Sequence, residues 1–294
     1  MTPEVQVLLS TYNGEVYIEE QIRSILNQKD VQVSLLIRDD GSSDSTVSII
    51  EGIHDPRIHV IREENVGSTK SFMKLIRLAG KSAFYAFSDQ DDVWDEEKLI
   101  TAVSSIGDYP VPAIYSSAAR LVDSALQPLG TVNCRAKTDL GSAIVKNYVT
   151  GCTCVMNHAL MELLKAGTPE SIPYHDWWAN LVALSAGGVS VYDEVPHVSY
   201  RQHGHNVVGA SENPLVKWRR RLERFKSSRY ERDHMAEELL RLYDDRISPD
   251  ARDLLEEVRD YRSHKVRVIT DRRLSTGSSV DNLLFDILVL LNKA

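Results

Sequence analysis

The chain has 294 residues, 43% hydrophobic and 26% charged, with three cysteines and a formal net charge of −8. That is globular composition with room for one large domain and an appendage, and the acidic balance argues against nucleic acid, whose phosphates call for a basic footprint. Few and odd-numbered cysteines argue for a reducing cytosol, and no run reaches the ~18 apolar residues of a membrane span.

The elements follow in chain order. Residues 5–9 form an apolar run that predicts a buried strand, and residues 15–28 carry Ile18, Ile22, Ile25 and Leu26 at helical spacing. A strand over 31–37, a helix over 46–53, a strand over 58–61, a helix over 71–79 and a strand over 84–87 continue the alternation. Strands alternating with helices predict an α/β fold with a mostly parallel central sheet covered on both faces. Beyond residue 110 the pattern loosens: strands are expected over 113–122 and 148–156, a helix over 174–186, and short strands over 189–192 and 198–201. From about residue 213 the pattern is helical. The expected division is a catalytic domain over residues 1–210 and a helical appendage over 211–294.

In such a sheet, ligands bind outside the carboxyl ends of the strands, and the polar clusters fall there. After the first strand comes Ser10-Thr11-Tyr12-Asn13-Gly14-Glu15, either a capped loop or a base-binding pocket with Tyr12 stacking. After the second comes Asp39-Asp40-Gly41-Ser42-Ser43-Asp44. Ser43 or Asp44 explains itself as a helix cap; Asp39 at the strand's end does not, and suits an imide N–H of a pyrimidine base. After the fourth comes Asp89-Gln90-Asp91-Asp92-Val93-Trp94. Carboxylates this close raise one another's pKa unless a cation sits between them, and magnesium or manganese held by carboxylate oxygens also grips phosphate. Further on, Tyr174-His175-Asp176-Trp177-Trp178 sets a carboxylate among aromatics. It caps a helix, serves as a partly desolvated general base, or does both. Arg201-Gln202-His203-Gly204-His205 gathers two histidines and an arginine, a set suited to metal or pyrophosphate. Cys152 and Cys154, two apart, would share one face of a strand as packing residues.

Taken together over residues 4–210, these motifs, with Glu64-Asn65-Val66-Gly67, resemble the family 2 nucleotide-sugar glycosyltransferases of GT-A fold. The later segments resemble the bacterial rhamnosyltransferase-type branch. The resemblance implies an inverting, metal-dependent sugar transfer to a glycan or lipid-linked saccharide in surface polysaccharide synthesis. Thr11, Tyr12, Asn13, Asp39 and Asp40 would hold the nucleotide. Asn65, Lys70, Asp89 and Gln90 would line the donor pocket. Asp91 and His203 would ligate manganese or magnesium, and Asp176 would be the base. His175 stands where many relatives have Glu, which leaves its role open. The branch points to dTDP-rhamnose as donor; a UDP-hexose, or a non-catalytic nucleotide-sugar binder, is the alternative.

Residues 215–229 carry Leu215, Trp218, Leu222 and Phe225 on one stripe beside seven Lys and Arg residues. This reads as a docked helix with a basic face or as contact with an anionic membrane at the inner face of the plasma membrane. Residues 283–291, apolar apart from Asp286, read as docking, homodimerisation or shallow insertion.

Overall fold

The computed structural model describes residues 2–132, 137–202 and 232–294. A seven-stranded sheet forms its centre, in the order β10-β6-β9-β4-β1-β2-β3. β1 (Glu4–Thr11), β2 (Gln32–Asp39), β3 (Ile58–Arg62) and β4 (Phe84–Ser88) run parallel, as do β6 (Ala113–Ser117) and β10 (Val189–Asp193). β9 (Val155–Asn157) alone runs antiparallel to both its neighbours. The expected α/β architecture is present. α1 (Ile18–Leu26), α2 (Thr46–Gly52) and α3 (Ser68–Leu78) make the crossovers.

The continuous apolar runs of β1 and β2 follow from burial on both faces. Val5, Val7 and Leu9 point to one core with Ile18, Ile22 and Ile25 of α1. Leu8 and Leu36 point to the other, with Phe72 and Ile76 of α3. That second core also takes in α7 (His175–Ser185) and the C-terminal helices α8 (Arg232–Leu242), α9 (Pro249–Arg259), α10 (Lys265–Thr270) and α11 (Ser279–Leu290), through Leu239, Leu255, Tyr261 and Phe285. The expected boundary near residue 210 and the basic stripe over 215–229 lie outside the described residues, as do His203, His205 and Cys134. Among the described residues no helix is long and apolar enough to cross a membrane.

Three expectations are corrected. The strand expected over 113–122 divides at Ala118, whose N–H bonds to the Asp193 carbonyl at 2.8 Å. Beyond it, β7 (Ala119–Val122) joins a second sheet, β5-β11-β7-β8, with β5 (Val93–Trp94), β8 (Pro128–Val132) and β11 (Val198–Arg201). The strand expected over 148–156 is extended only from Val155; a 3-10 turn, Gly151–Thr153, interrupts it, because the Thr153 hydroxyl and N–H both return to the Thr150 carbonyl, at 2.7 and 2.9 Å. Cys152 and Cys154 therefore do not share a strand face; they enter opposite cores. Three helices were not anticipated: α4 (Lys98–Ile106), α5 (Leu140–Val145) and α6 (His158–Ala166). α5 and α6 start at asparagine or aspartate caps, with Asp139 accepting the Ser142 N–H at 2.7 Å and Asn157 that of Leu160 at 3.1 Å.

Candidate functional site

Parallel register sets the first half of the site. Thr11 lies beside Asp39 in the β1–β2 pair, and Leu9 beside Ser88 in the β1–β4 pair, so three polar loops leave the sheet side by side. The first two are zipped together. Asn13, in a left-handed conformation at φ 49°, accepts the Ser43 N–H at 2.9 Å and gives its own N–H to the Ser42 hydroxyl at 2.9 Å. Gly14 N–H bonds the Thr46 hydroxyl at 2.7 Å, and Glu15 accepts the Ser45 N–H at 2.9 Å. Asp44, not Ser43, accepts the first helical N–H, that of Thr46, at 3.0 Å.

Within this rim the expected nucleotide residues divide by what they already hold. Asp39 is buried; one oxygen accepts the Ser42 N–H at 3.0 Å and the other has no hydrogen-bond partner. Asp40 faces the other way. It pairs with the buried Arg38 at 2.5 Å and accepts the N–H groups of Val66 and Gly67, both at 2.9 Å, anchoring the loop that presents Asn65 at the start of α3. Gln90 locks the first loop by accepting from the Thr11 hydroxyl at 2.6 Å and the Tyr12 N–H at 2.8 Å. The Tyr12 side chain stays 48% exposed, and Asn65 and Lys70 are exposed as well.

The acid string is held from behind by an arginine. Arg201, 2% exposed at the end of β11, donates from Nε to the Asp91 carbonyl at 2.9 Å and pairs with Glu20 of α1 at 2.5 Å. Its guanidinium also donates to the Ser124 carbonyl at 2.5 Å and covers the Tyr17 ring at 4.4 Å. Its own N–H goes to Asp92 at 3.2 Å. This arginine is therefore spoken for and not available to a diphosphate; it joins α1, the string and β11. Burial, and then the charges of Asp91 and Asp176, lift the Asp89 carboxyl to about 7. Burial first, then Asp91 and Asp89, push Asp92 well above the carboxylate range. Burial is the larger cause of both shifts; the remainder is crowded charge, which a cation would relieve.

The second half is apolar. His175 and Asp176 open α7, both almost wholly buried. The His175 ring stacks on Phe72 with centroids 3.7 Å apart and meets the edge of Phe87 at 4.7 Å. Burial drives its pKa down to about 3, so the ring is neutral, and its Nε2 has no partner. Asp176 accepts the Trp177 N–H at 2.6 Å and the Asn147 amide at 3.4 Å. Burial outweighs these bonds and lifts its pKa to about 6. Asp176 is not the helix cap that was expected: the N-cap is Tyr174, which makes no side-chain cap bond, and Asp176 holds the Trp177 N–H from within the first turn. Gly151 lies beside Asp176, and Cys152, next in the chain, has its sulfur within 4.8 Å of an Asp89 carboxylate oxygen, so the two halves are neighbours.

Sequence reading missed Gly151. A Cβ there would stand 3.0 Å from His175 Nε2, a tight contact, and 3.5 Å from Asp176 Oδ2, an ordinary one, so glycine lets the turn lie against both side chains without displacing the imidazole. A glycine inside an expected strand marks a close backbone approach, and that was the available signal. Asn147, Glu20 and Arg201 had no such signal: their partners lie 29, 181 and 110 positions away.

Comparison with known proteins agrees with this layout. The model of the family "Glycosyl transferase family 2" matches residues 6–160. The chain is 32% identical over 228 residues to dTDP-rhamnosyl transferase RfbG of Shigella flexneri, covering 72% of this chain and 77% of that protein. TarS of S. aureus, solved with UDP-GlcNAc, superposes with a TM-score of 0.61 at 17% identity, over 97% of this chain and 81% of its own. The mannosyltransferase PcManGT from Pyrobaculum calidifontis, solved with GDP-Man and Mn2+, superposes with a TM-score of 0.53 at 17% identity, over 100% of this chain and 89% of its own. At that identity the two structures establish a shared GT-A fold.

Proposed function

The chain belongs to glycosyl transferase family 2 and is a transferase; from that premise we propose an inverting enzyme that moves L-rhamnose from dTDP-rhamnose to a saccharide hydroxyl in surface polysaccharide synthesis. The observation that carries this reading is a buried Asp176 beside the turn of Gly151 and Cys152, which also borders Asp89 and Asp92 of the acid string. The likeness to the Shigella rhamnosyl transferase supports the choice of donor.

In this reading Tyr12 stacks on the base, and the unpartnered oxygen of Asp39 accepts the imide N–H of thymine. Thr11, Asn13, Gln90 and Asp40 act as the frame of that pocket, through the bonds described above. Asn65 and Lys70 border the donor, and Asp89 faces its ribose or sugar. A divalent ion, manganese or magnesium, would be held by Asp91, with His203 as a second ligand, where the crowded carboxylates of Asp89 and Asp92 raise one another's pKa. When bound, it offsets the charge that grows on the departing diphosphate.

Asp176 performs the other half. Its carboxylate takes the proton of the acceptor hydroxyl, and that oxygen attacks the anomeric carbon on the face opposite the diphosphate. The bond to phosphate breaks, and its electron pair leaves with the nucleoside diphosphate. One base suffices, and no enzyme nucleophile is consumed. The fixed Trp177 N–H and Asn147 amide keep the carboxylate aimed while the aromatic walls exclude water.

Residues 232–294 are proposed as support for the base side, since Arg232 of α8 donates to the Ile144 and Val145 carbonyls at the end of α5 and covers the Trp177 ring. α11 leaves Leu283, Leu290 and Leu291 exposed; a lipid-linked acceptor at an anionic membrane fits that face, and flotation with anionic liposomes tests it.

The decisive assay offers dTDP-rhamnose and a panel of UDP-hexoses with manganese, magnesium or EDTA. The expected result is nucleotide release from dTDP-rhamnose alone, lost in EDTA and restored by metal. Release from a UDP-hexose instead would move the donor assignment, and full activity in EDTA would remove the metal.

A further inference from the structure

Next to the base lies a buried side chain that sugar transfer, as described so far, leaves without a part: the imidazole of His175. It is packed from three directions. Its ring stacks on Phe72 of α3, with centroids 3.7 Å apart and planes 14° apart. Phe87 of β4, two residues before Asp89, closes a second side at 4.7 Å. On the third side is the Gly151 turn, where a Cβ would stand 3.0 Å from Nε2 and 3.3 Å from Cε1. A second tie fixes the same corner. The Thr69 hydroxyl donates to the Pro173 carbonyl at 3.1 Å, so the chain entering α7 is fastened to the first turn of α3.

What the ring can do follows from what it cannot. Burial keeps it neutral, so it forms no ion pair with the Asp176 carboxylate. Its Nε2 is buried without a hydrogen-bond partner, closed off from a sugar hydroxyl. What is left is shape. The turn against its edge also touches the base: the same Gly151 Cβ position lies 3.5 Å from Asp176 Oδ2, and the Gly151 N–H lowers the Asp176 pKa against the larger effect of burial. The ring thus stands between an aromatic platform, Phe72 and Phe87, and the backbone that meets the carboxylate. A ring stacked in a close-packed core has little room to yield.

We propose that His175 is a positioning residue for sugar transfer: its ring is the spacer that holds the Gly151 turn, and through that turn the Asp176 carboxylate, where the acceptor hydroxyl is deprotonated. This rests on the reading of Asp176 as the base. Removing the ring leaves a void between Phe72 and the turn, into which the backbone relaxes. A carboxylate carried along by a fraction of an ångström loses its alignment with the reacting oxygen, which slows the chemical step and leaves donor binding as it was.

The test is a double-mutant cycle on the full chain between His175→Ala and Gly151→Ala. It is read in the kcat and donor KM of nucleotide release from dTDP-rhamnose, or from the UDP-hexose that replaces it in the donor panel. Each single variant is expected to lower kcat at least ~10-fold with the donor KM within ~2-fold of wild type. The double variant is expected to be no slower than the slower single one, because without the ring the added methyl group has nothing to strike. Losses that multiply overturn the proposal. So does a His175→Ala variant with near-normal kcat, or one whose loss lies in the donor KM. Circular dichroism checks folding at the assay temperature; if His175→Ala is unfolded, His175→Asn, which ends short of the turn, carries the same cycle. Asp176→Asn separates the two readings. Near-normal release in that variant removes the base, and the spacer with it, whereas an inactive Asp176→Asn beside losses that multiply removes the spacer alone.

Discussion

The two halves of the cleft hold the same kind of side chain by opposite means. Around Asp91 the frame is polar and charged: Gln90 bonds the base loop, and Arg201 ties the Asp91 backbone to Glu20 and Ser124. Around Asp176 it is aromatic and dry, with His175 stacked on Phe72 and Trp177 fixed through its indole N–H to the Ala143 carbonyl at 2.6 Å. The difference teaches what each carboxylate is for. Crowded acids under an arginine clamp suit a site that gathers positive charge. A carboxylate isolated by burial gains basicity without competing for that charge.

The strongest way to break the comparison is to neutralise one acid on each side. Asp91→Asn and Asp176→Asn are each expected to lower turnover by at least ~100-fold, with circular dichroism and melting temperature near wild type. Near-normal turnover with the right donor and acceptor would strip that residue of its role. The two should also differ in kind: raising manganese recovers part of the first loss and none of the second.

A backbone change sharpens the dry half. Gly151→Ala pushes on His175 Nε2, 3.0 Å from the new carbon, and through it on Asp176. The expectation is a kcat lower by about 10- to 100-fold with the donor KM unchanged, the signature of a base moved by a fraction of an ångström. An equal rise in KM would place the turn on the donor side.

On the polar half, Arg201→Lys keeps the charge but loses the fork that reaches Asp91, Ser124 and Glu20 together. The metal concentration for half-maximal activity should rise about 10- to 100-fold. Excess metal should restore the rate, which it would not do if the variant had merely become less stable.

The mildest test is pH. With the Asp176 pKa raised to about 6 by burial, kcat/KM should fall about tenfold per unit below that value and level off above it. Stability runs the other way. The folded state holds this proton more tightly than the unfolded chain, so the contribution of Asp176 to stability declines as pH rises from about 4 to 6. Asp176→Asn should remove that slope, and an unchanged urea-denaturation profile would place the raised pKa elsewhere.

Most of the first hundred residues were legible because their signals are local. Apolar runs, helical spacing, and turn residues such as Asn13 and Gly41 each act within a few positions. The acid string and the Asp39 turn were readable for the same reason: charge in excess of local structural need, at a strand's end. The helix at α4 went unread though its spacing was present, and the turn at Gly151 was hidden because strand propensity over 148–156 lost to hydroxyl bonds back to the Thr150 carbonyl.

By itself, then, the amino-acid sequence determined the alternating fold, its polar strand ends and the two acids on which the chemistry is proposed to rest. Only the tertiary structure decided how they are held: Arg201 behind Asp91, Gly151 against Asp176, Asp40 turned to Arg38, and Cys152 set beside Asp92. The reason is range. A periodicity or a turn is read over a handful of neighbours, whereas a buried arginine acquires its meaning from atoms 110 residues away, and a bare glycine from a side chain beyond β9 and α6, that folding alone brings close.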